Sequence, residues 1–197
     1  MNKSVLLLAV VFFMAAAFLP AQGSSRSAAP VIDNPALKPI INNFAAGSYA
    51  SGGLTKAELD SIIQAGVRAP SARNQQPWHF TVVQDQALAK RIISQVTDGN
   101  ILIVVSAAGD GKTNGAVILD CGLAVQSMYL AAQALGLGSR IYTGPVDSIN
   151  KNFKNDLALP KDHNAVAVIR IGRLPPNVDA VSSASSRNSA DRIVSYK

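Results

Sequence analysis

The sequence predicts an α+β or α/β fold in which helices flank one mixed β-sheet. Three observations predict it: apolar residues recur at helical spacing in several segments, runs rich in β-branched residues lie between those segments, and no internal repeat is present. At 197 residues the chain has an ordinary length for one domain with its own core.

Residues 1–23 have the pattern of a signal peptide. Lys3 precedes the apolar run VLLLAVVFFMAAAFL, and the small residues Ala21 and Gly23 follow where a cleavage site would fall. This run of 15 residues is short for a membrane-spanning helix. We therefore expect cleavage near Gly23 and an exported protein, periplasmic or secreted, with no membrane attachment after cleavage. An uncleaved N-terminal anchor is the alternative.

Charge and cysteine content exclude several classes of partner and site. The net charge is +6, but the lysines and arginines are scattered and no aromatic ladder accompanies them, so we expect no nucleic-acid partner. Cys121 is the only cysteine, so the chain has no internal disulfide and no thiolate metal site.

The first predicted elements follow a polar leader. Residues 24–53 are rich in Ser, Ala, Gly, Pro and Asn, and one apolar cluster around residues 37–41 predicts a short helix. The segment TKAE is a capping box at Thr55 and predicts a helix over 55–67. Pro70 ends that helix, and HFTVVQD, residues 79–85, predicts a strand.

The central part of the chain contains its most apolar segments. QALAKRIISQV predicts a helix over 86–96, and NILIVVSAA predicts a buried strand over 100–108. Residues 116–135 form a helix that is apolar almost all round, so protein must cover it, within the fold or at a subunit interface. Asp120 and two glutamines argue against a membrane span there. GLGS, residues 136–139, is a helix stop.

The last elements repeat the alternation of strands and helices. SRIYTG predicts a short strand over 139–144, VDSINKNFKNDLAL a helix over 146–159, and NAVAVIRIG a strand over 164–172. Residues 176–197 form a tail rich in Pro and Ser, and we expect this tail to dock on a partner subunit.

Several possible sites are better explained as structure. SAAGDGKT resembles a phosphate-binding loop, but Ser106 replaces its first glycine, which favours a plain Gly-rich turn. His79 and His163 have no second ligand at metal spacing and no nucleophile partner, so we expect structural roles. Cys121 is expected to be a buried small side chain. Asp120 is either catalytic or, more commonly for this position, a capping or helix-dipole partner.

The segment APSARNQQPWHF, residues 69–80, is the best candidate for a functional loop. Because the chain offers few acids, bases or nucleophiles, the chemistry is expected to belong to a cofactor that the protein binds and orients. The amides of Asn74 and Gln76 can both donate to and accept from the edge of a heterocycle, while proline and tryptophan wall the site. Simple packing of a Pro-Trp loop is the alternative.

Three segments together resemble the FMN-dependent nitroreductase family. They are RAPSARNQQPWHF after a helix opened by LTKAEL, DCGLAVQSMYLAAQALGLGSRIYTG, and LALPKDHNAVAVIRIG. The chain is similar to a compact member, with a nitroreductase-like domain over 54–175 and no central lid insertion. The resemblance implies an α+β fold that forms an intertwined homodimer, with FMN at the subunit interface and the C-terminal tails wrapped over the partner.

The resemblance also implies an activity and a set of flavin-binding residues. The activity is that of an oxidoreductase, which passes electrons from a reduced donor such as NAD(P)H through flavin N5 to a nitroaromatic, quinone or similar small-molecule acceptor. The residues implied to contact FMN are those of the loop, Pro70, Ser71, Asn74 and Gln76, and those of a later turn, Tyr142, Thr143 and Gly144. No catalytic side chain is implied, because the flavin carries the chemistry.

The chain departs from the family at the flavin phosphate. Members usually carry Arg-Arg-Ser-x-Arg where residues 43–47 read NFAAG. A dianionic phosphate needs charge-assisted donors, so we expect Arg187 in the tail to replace the missing clamp, with Arg192 and Lys197 as weaker candidates. The alternative function is a flavin-free binding or structural dimer on the same fold.

Overall fold

One four-stranded antiparallel sheet separates two hydrophobic cores. The computed structural model describes residues 33–109, 114–179 and 187–197, which all belong to one compact unit, Asp33–Lys197. The predicted signal peptide, residues 1–23, lies outside the described residues, as do residues 110–113 of the Gly-rich turn and 180–186 of the tail.

The described elements alternate along the chain. The helices are α1 (Lys38–Ile41, after a 3-10 turn over Pro35–Leu37), α2 (Lys56–Val67), α3 (Gln86–Ile92), α4 (Gly115–Ala134), α5 (Val146–Asn152) and α6 (Ala190–Ile193). The strands are β1 (Trp78–Val83), β2 (Ile101–Ala108), β3 (Gly138–Tyr142) and β4 (His163–Gly172), and a second 3-10 turn spans Ala72–Asn74.

The strand order is β1-β2-β4-β3. The α+β class is confirmed, but all three pairings in the described residues are antiparallel, so the sheet is not mixed within this chain. Trp78 pairs with Ala107, Ala108 with His163, and Tyr142 with Val168. The start of β1 and the end of β3 therefore lie at the same end of the sheet, on its two opposite edges.

The two faces of the sheet carry separate cores. One core joins the sheet to α2 and α4 through Ile62, Met128 and Ile169, and the other joins it to α3 and α5. Strand β2 is buried over Ile101–Ala107 because it lies inside the sheet and contributes to both cores. Burial on both faces explains its unbroken apolar sequence.

Helices α2 and α4 form close to where the sequence predicts them. Thr55 Oγ1 accepts a hydrogen bond from the Glu58 amide at 3.2 Å, and Glu58 Oε2 accepts from the Thr55 amide at 2.7 Å, which completes the capping box. Gly136 follows α4 with a φ of 74°, as a helix stop requires, while residues 138 and 139 already belong to β3.

Helices α3 and α5 are shorter than predicted. Helix α3 ends at Ile92 because Ile93 turns to an extended conformation, with ψ of 103°. Helix α5 ends at Asn152, and the turns that follow bring Phe153 and Leu157 into the second core. These apolar side chains are buried as predicted, but turns rather than helices bury them.

Helix α4 is buried on one side only. By length and composition it is the one helix among the described residues that could cross a membrane, yet Cys121 and Met128 on its inner side are fully buried in the first core. Its other side is uncovered: Leu119 is 62% exposed, and Gly122 and Gln126 are exposed beside it. The helix is thus a core helix with an uncovered, largely apolar face.

Candidate functional site

The ring loop, residues 70–77, lies between α2 and β1. It exposes the side chains of Asn74 and Gln76, and Pro70 is exposed at its start. Arg73, Asn74 and Gln76 have φ values of 53°, 55° and 49°, in the left-handed region. Each such residue other than glycine costs on the order of 1 kcal/mol or more, so other contacts must maintain this conformation.

Hydrogen bonds maintain the ring loop. Ser71 Oγ accepts from the Gln76 amide at 3.0 Å, and Gln76 Nε2 donates to Asn74 Oδ1 at 3.1 Å. From α4, Asp120 Oδ1 accepts from the Ala72 amide at 3.0 Å. Asn74 Nδ2 makes no hydrogen bond within the part of the chain that the structure describes. This NH2 group is therefore the part of the Asn74 side chain that is suited to bind a ligand.

Asp120 therefore has a different role from those considered on sequence grounds. The N-cap of α4 is Asn114, whose Oδ1 accepts from the Val117 amide at 3.3 Å. Asp120 is instead buried and bonded to a distant loop. A carboxylate inside an apolar helix was the available sequence signal, but its partner, 48 residues away, emerges only from the fold.

Aromatic residues follow the ring loop at the start of β1. Trp78 and Phe80 lie on the same side of the strand, with ring centroids 6.2 Å apart and planes only 9° from parallel. Both rings are partly buried against the first core. They anchor the ring loop to the sheet, and part of the Trp78 surface remains accessible beside it.

The predicted turn, residues 142–144, follows β3. Thr143 and Gly144 are exposed, and a Cβ atom added at Gly144 would meet nothing within 4 Å. The guanidinium of Arg140 lies over the Tyr142 ring, 5.4 Å from its centroid. The Thr143 carbonyl accepts from the Val146 amide at 3.1 Å, which fixes the start of α5.

The structure places the ring loop and the turn at one end of the sheet but does not bring them together within one chain. They adjoin β1 and β3, which are its opposite edge strands. Three strand spacings separate these edges, roughly 14 Å.

Residues 43–47, where the family carries its phosphate clamp, lie beside the outer edge of β3. The Ala46 amide donates to the Ser139 carbonyl at 3.0 Å, and Gln133 bonds both the amide and the carbonyl of Phe44. Phe44 and Ala46 are buried while Ala45 and Gly47 are exposed. The outward positions of this segment therefore carry no cation.

The charge of Arg187 acts on Tyr129, whose hydroxyl lies next to this segment. Burial raises the pKa of Tyr129, a hydrogen bond with Gln133 lowers it, and the positive charge of Arg187 also lowers it. The Tyr129 hydroxyl in turn lies 3.5 Å from Asn43 Oδ1. The charge of Arg187 thus acts on a tyrosine that contacts the first of the neutral positions, while Arg192 and Lys197 are exposed further along the tail.

His79, His163 and Cys121 are the remaining candidates, and their neighbours indicate structural roles. His79 and His163 meet edge to face with centroids 5.9 Å apart, and His163 Nδ1 lies 3.4 Å from Ser106 Oγ. Among the described residues no three His, Cys, Asp or Glu side chains are grouped to hold a metal ion. Burial and the Asp120 charge raise the pKa of Cys121 to about 11, which makes its thiol a poor nucleophile.

Comparison with known proteins identifies the family. The model of the nitroreductase family matches residues 48–108 and 95–173, which together make up more than half of the chain. The chain belongs to the nitroreductase family. The resemblance seen in the three sequence segments is thereby confirmed, together with the α+β fold.

Named relatives of this chain cover most of its length. A protein of Archaeoglobus fulgidus named as an NADH dehydrogenase/NAD(P)H nitroreductase is 30% identical over 167 residues, which are 80% of this chain and 95% of that protein. A nitroreductase structure from Desulfovibrio desulfuricans, in complex with FMN, is 25% identical with a TM-score of 0.69, over 84% of this chain and 98% of that one.

A third relative carries a different activity name. The structure of a Clostridium acetobutylicum protein named as an NADH oxidase is 26% identical with a TM-score of 0.67, covering 81% of this chain and 99% of that one. Names within the family therefore differ in electron acceptor while the fold is shared.

Proposed function

We propose that this nitroreductase is an FMN-dependent oxidoreductase that passes electrons from a reduced donor such as NAD(P)H to a nitroaromatic, a quinone or a similar small molecule. Family membership supports the reaction class, and FMN in the Desulfovibrio desulfuricans relative supports the cofactor. The observation that carries the proposal is the ring loop itself, which presents exposed amides on a backbone held in an uncommon conformation.

The residues of the ring loop and the turn have the chemistry that a flavin ring needs. Asn74 Nδ2 would donate to the polar edge of the ring, and Pro70 and Ser71 would lie beside it. The open space at Gly144 allows the turn backbone of Tyr142, Thr143 and Gly144 to approach a planar ligand closely. When bound, FMN supplies hydride and electron transfer, and the protein orients the ring and shields it from water.

We further propose that the active form is an intertwined homodimer. The ring loop and the turn lie on opposite edges of one sheet. A single flavin ring would therefore contact the residues of both when the ring loop of one protomer faces the turn of its partner. The uncovered face of α4, with Leu119 and Gly122, supplies apolar surface for such an interface. Obligate interfaces bury on the order of 2,000 Å² or more.

At the phosphate end, we propose that Arg187 replaces the missing clamp. Arginine offers a planar set of donors that matches phosphate oxygens. Its positive charge lowers the pKa of Tyr129, whose hydroxyl lies 3.5 Å from Asn43 Oδ1, and this supports the assignment.

The proposed location is outside the cytoplasm, periplasmic or secreted, on the evidence of the signal-peptide pattern in residues 1–23. An exported enzyme needs a donor that is present there. Activity assays should therefore compare NADH and NADPH with quinols and other small reductants.

Purification followed by absorption spectroscopy tests the proposed function. We expect a yellow protein with an oxidised-flavin spectrum, release of FMN on denaturation, and bleaching of the spectrum on addition of a productive donor. A colourless protein that also fails to bind added FMN would refute it. A colourless protein of this kind would favour the alternative, a flavin-free binding or structural dimer on the same fold. The absence of cations at the outward positions of residues 43–47 is the observation that supports this alternative.

A further inference from the structure

We propose that Asp120 is a positioning residue, which holds the ring loop in its ligand-binding conformation before any flavin binds. Nothing in the sequence motifs assigns this role, since the carboxylate lies on α4 and outside the loop. The part of the proposal that concerns flavin affinity rests on the proposed function, whereas the part that concerns the loop does not.

The contact is specific and buried. Asp120 is 4% exposed, and its Oδ1 accepts a hydrogen bond from the Ala72 amide at 3.0 Å. Ala72 opens the 3-10 turn Ala72–Asn74, so the bond fixes the turn at its first residue. A hydrogen bond to a carboxylate is stronger than one to a neutral acceptor, particularly away from water.

The ring loop depends on this bond because its other hydrogen bonds are internal. The bonds between Ser71 and Gln76 and between Gln76 and Asn74 close the loop on itself. Among the described residues, the Asp120 bond is the one recorded hydrogen bond that ties residues 71–76 to another element. Without it, the left-handed residues Arg73, Asn74 and Gln76 would relax toward more favourable conformations.

The same helix also carries the proposed subunit interface. Leu119, next in sequence to Asp120, is exposed on the uncovered face of α4, while Asp120 points inward to the loop. One helix therefore holds the ring loop on its inner side and presents the apolar interface on its outer side, which links loop geometry to the position of α4.

Hydrogen exchange of the full-length, flavin-free protein tests the proposal directly. In Asp120→Ala, the Ala72 amide should exchange about 10- to 100-fold faster, since a hydrogen bond to a charged acceptor is lost. In Asp120→Asn, whose side-chain oxygen still accepts, the increase should be about 2- to 10-fold. Ser127→Ala is the matched control on α4, because its hydroxyl donates only to the Leu123 carbonyl of the same helix in the described contacts.

Equal Ala72 exchange in the wild type and Asp120→Ala would overturn the proposal. So would an equal acceleration throughout α4 and β2, because that result indicates a general packing role. If Asp120→Ala does not fold, Asp120→Asn decides: faster exchange confined to residues 72–76 supports positioning, and unchanged exchange refutes it.

Titration with FMN provides the second readout. We expect Asp120→Ala to bind FMN at least about tenfold more weakly, with most of the affinity restored in Asp120→Asn. Unchanged affinity in Asp120→Ala would refute the link between loop conformation and flavin binding. If the wild type binds no flavin, the proposed function fails, while the exchange experiment still decides whether Asp120 positions the loop.

Discussion

At the scale of single residues, the candidate site has two ends with different chemistry. The ring loop offers neutral amides. The Asn74 side chain is exposed, and within the described residues its amide group bonds Gln76 through Oδ1 and makes no hydrogen bond through Nδ2. The proposed phosphate end has neutral residues at 43–47, and the charge of Arg187 acts on Tyr129, which contacts Asn43. The two ends can therefore be tested separately with ligands that share the ring and differ in the phosphate.

Asn74→Ala should weaken FMN binding by about 1 to 3 kcal/mol, because it removes one hydrogen-bond donor from a buried ligand edge. The fold should remain intact, since the side chain is exposed and its recorded partner, Gln76, belongs to the same loop. Flavin titration and thermal unfolding measure the two effects, with the exposed neighbour Gln75→Ala as control. Unchanged affinity and unchanged flavin potential together would show that Asn74 does not contact the ring.

Arg187→Ala should reduce FMN affinity by about 1.5 to 3 kcal/mol, the range for a hydrogen bond to a charged group. Riboflavin, which has the same ring and no phosphate, should bind equally well to the variant and the wild type. Parallel titrations of both ligands make the comparison, and Lys56→Ala is the control, because it removes one positive charge at a highly exposed position on α2. Equal losses for the two ligands, or no loss for either, would remove Arg187 from the site.

At the scale of elements, the start of α2 is tied to the end of β4. Arg173, just after β4, donates to both Glu58 carboxylate oxygens at 2.7 Å, and Glu58 also closes the capping box of α2. Hydrogen bonds from Arg173 and then from Thr55 lower the pKa of Glu58 to about 2, against the opposing effect of burial. The Arg173–Glu58 pair connects two elements that are distant in sequence. Arg173 also bonds the neighbouring segment 48–53, through the Gly53 carbonyl and the Ala50 amide.

Glu58→Gln should lower the free energy of unfolding at neutral pH by about 1 to 2 kcal/mol, less than for a fully buried pair because water partly screens this one. The native pKa lies below the ordinary value of 4.5, so the stabilisation is complete above that pH and is lost as the pH falls from 4.5 to about 2. The stability difference between wild type and variant should shrink over that interval.

Denaturant unfolding of both proteins at several pH values measures this difference. Asp60→Asn is the matched control on α2, because the Lys56–Asp60 pair is highly exposed and should contribute little. A constant difference between wild type and Glu58→Gln across the whole range would contradict the assigned cause.

At the scale of the whole molecule, the proposed dimer depends on the uncovered face of α4. Its inner side packs between α2 and the sheet, and its outer side leaves Leu119 62% exposed, next to the exposed Gly122. A Cβ atom added at Gly122 would meet nothing within 4 Å in the single chain, so a partner backbone has room to approach there.

Leu119→Lys should convert the proposed dimer into monomers at micromolar concentration, because burying an unpaired ammonium group costs several kcal/mol. The monomer fold should persist, since residue 119 contacts solvent in the single chain. Analytical ultracentrifugation measures the change, and Gln84→Lys adds the same charge at an exposed site away from α4. A wild type that sediments as a monomer, or a variant that remains dimeric, would contradict the proposed interface.

Local patterns determined much of the fold. The capping box at Thr55, the apolar run of β2 and the glycine at 136 each act over a few residues, so the sequence predicted α2, β2 and the end of α4 closely. The predicted ends of α3 and α5 were wrong because Ile93 reaches the second core from extended backbone and Phe153 reaches it from a turn. Apolar spacing alone does not distinguish a helical turn from a tight turn in such short segments.

The family and the candidate ring loop were also accessible from the sequence, because both depend on which residues occur and in what order. Only the tertiary structure decided how these parts combine. The antiparallel order β1-β2-β4-β3 puts the ring loop and the turn at Tyr142 on opposite edges of the sheet. The same fold brings Asp120 to Ala72 and Arg187 toward Tyr129. Contacts between residues so far apart in sequence depend on strand pairing and helix packing, which no local pattern encodes.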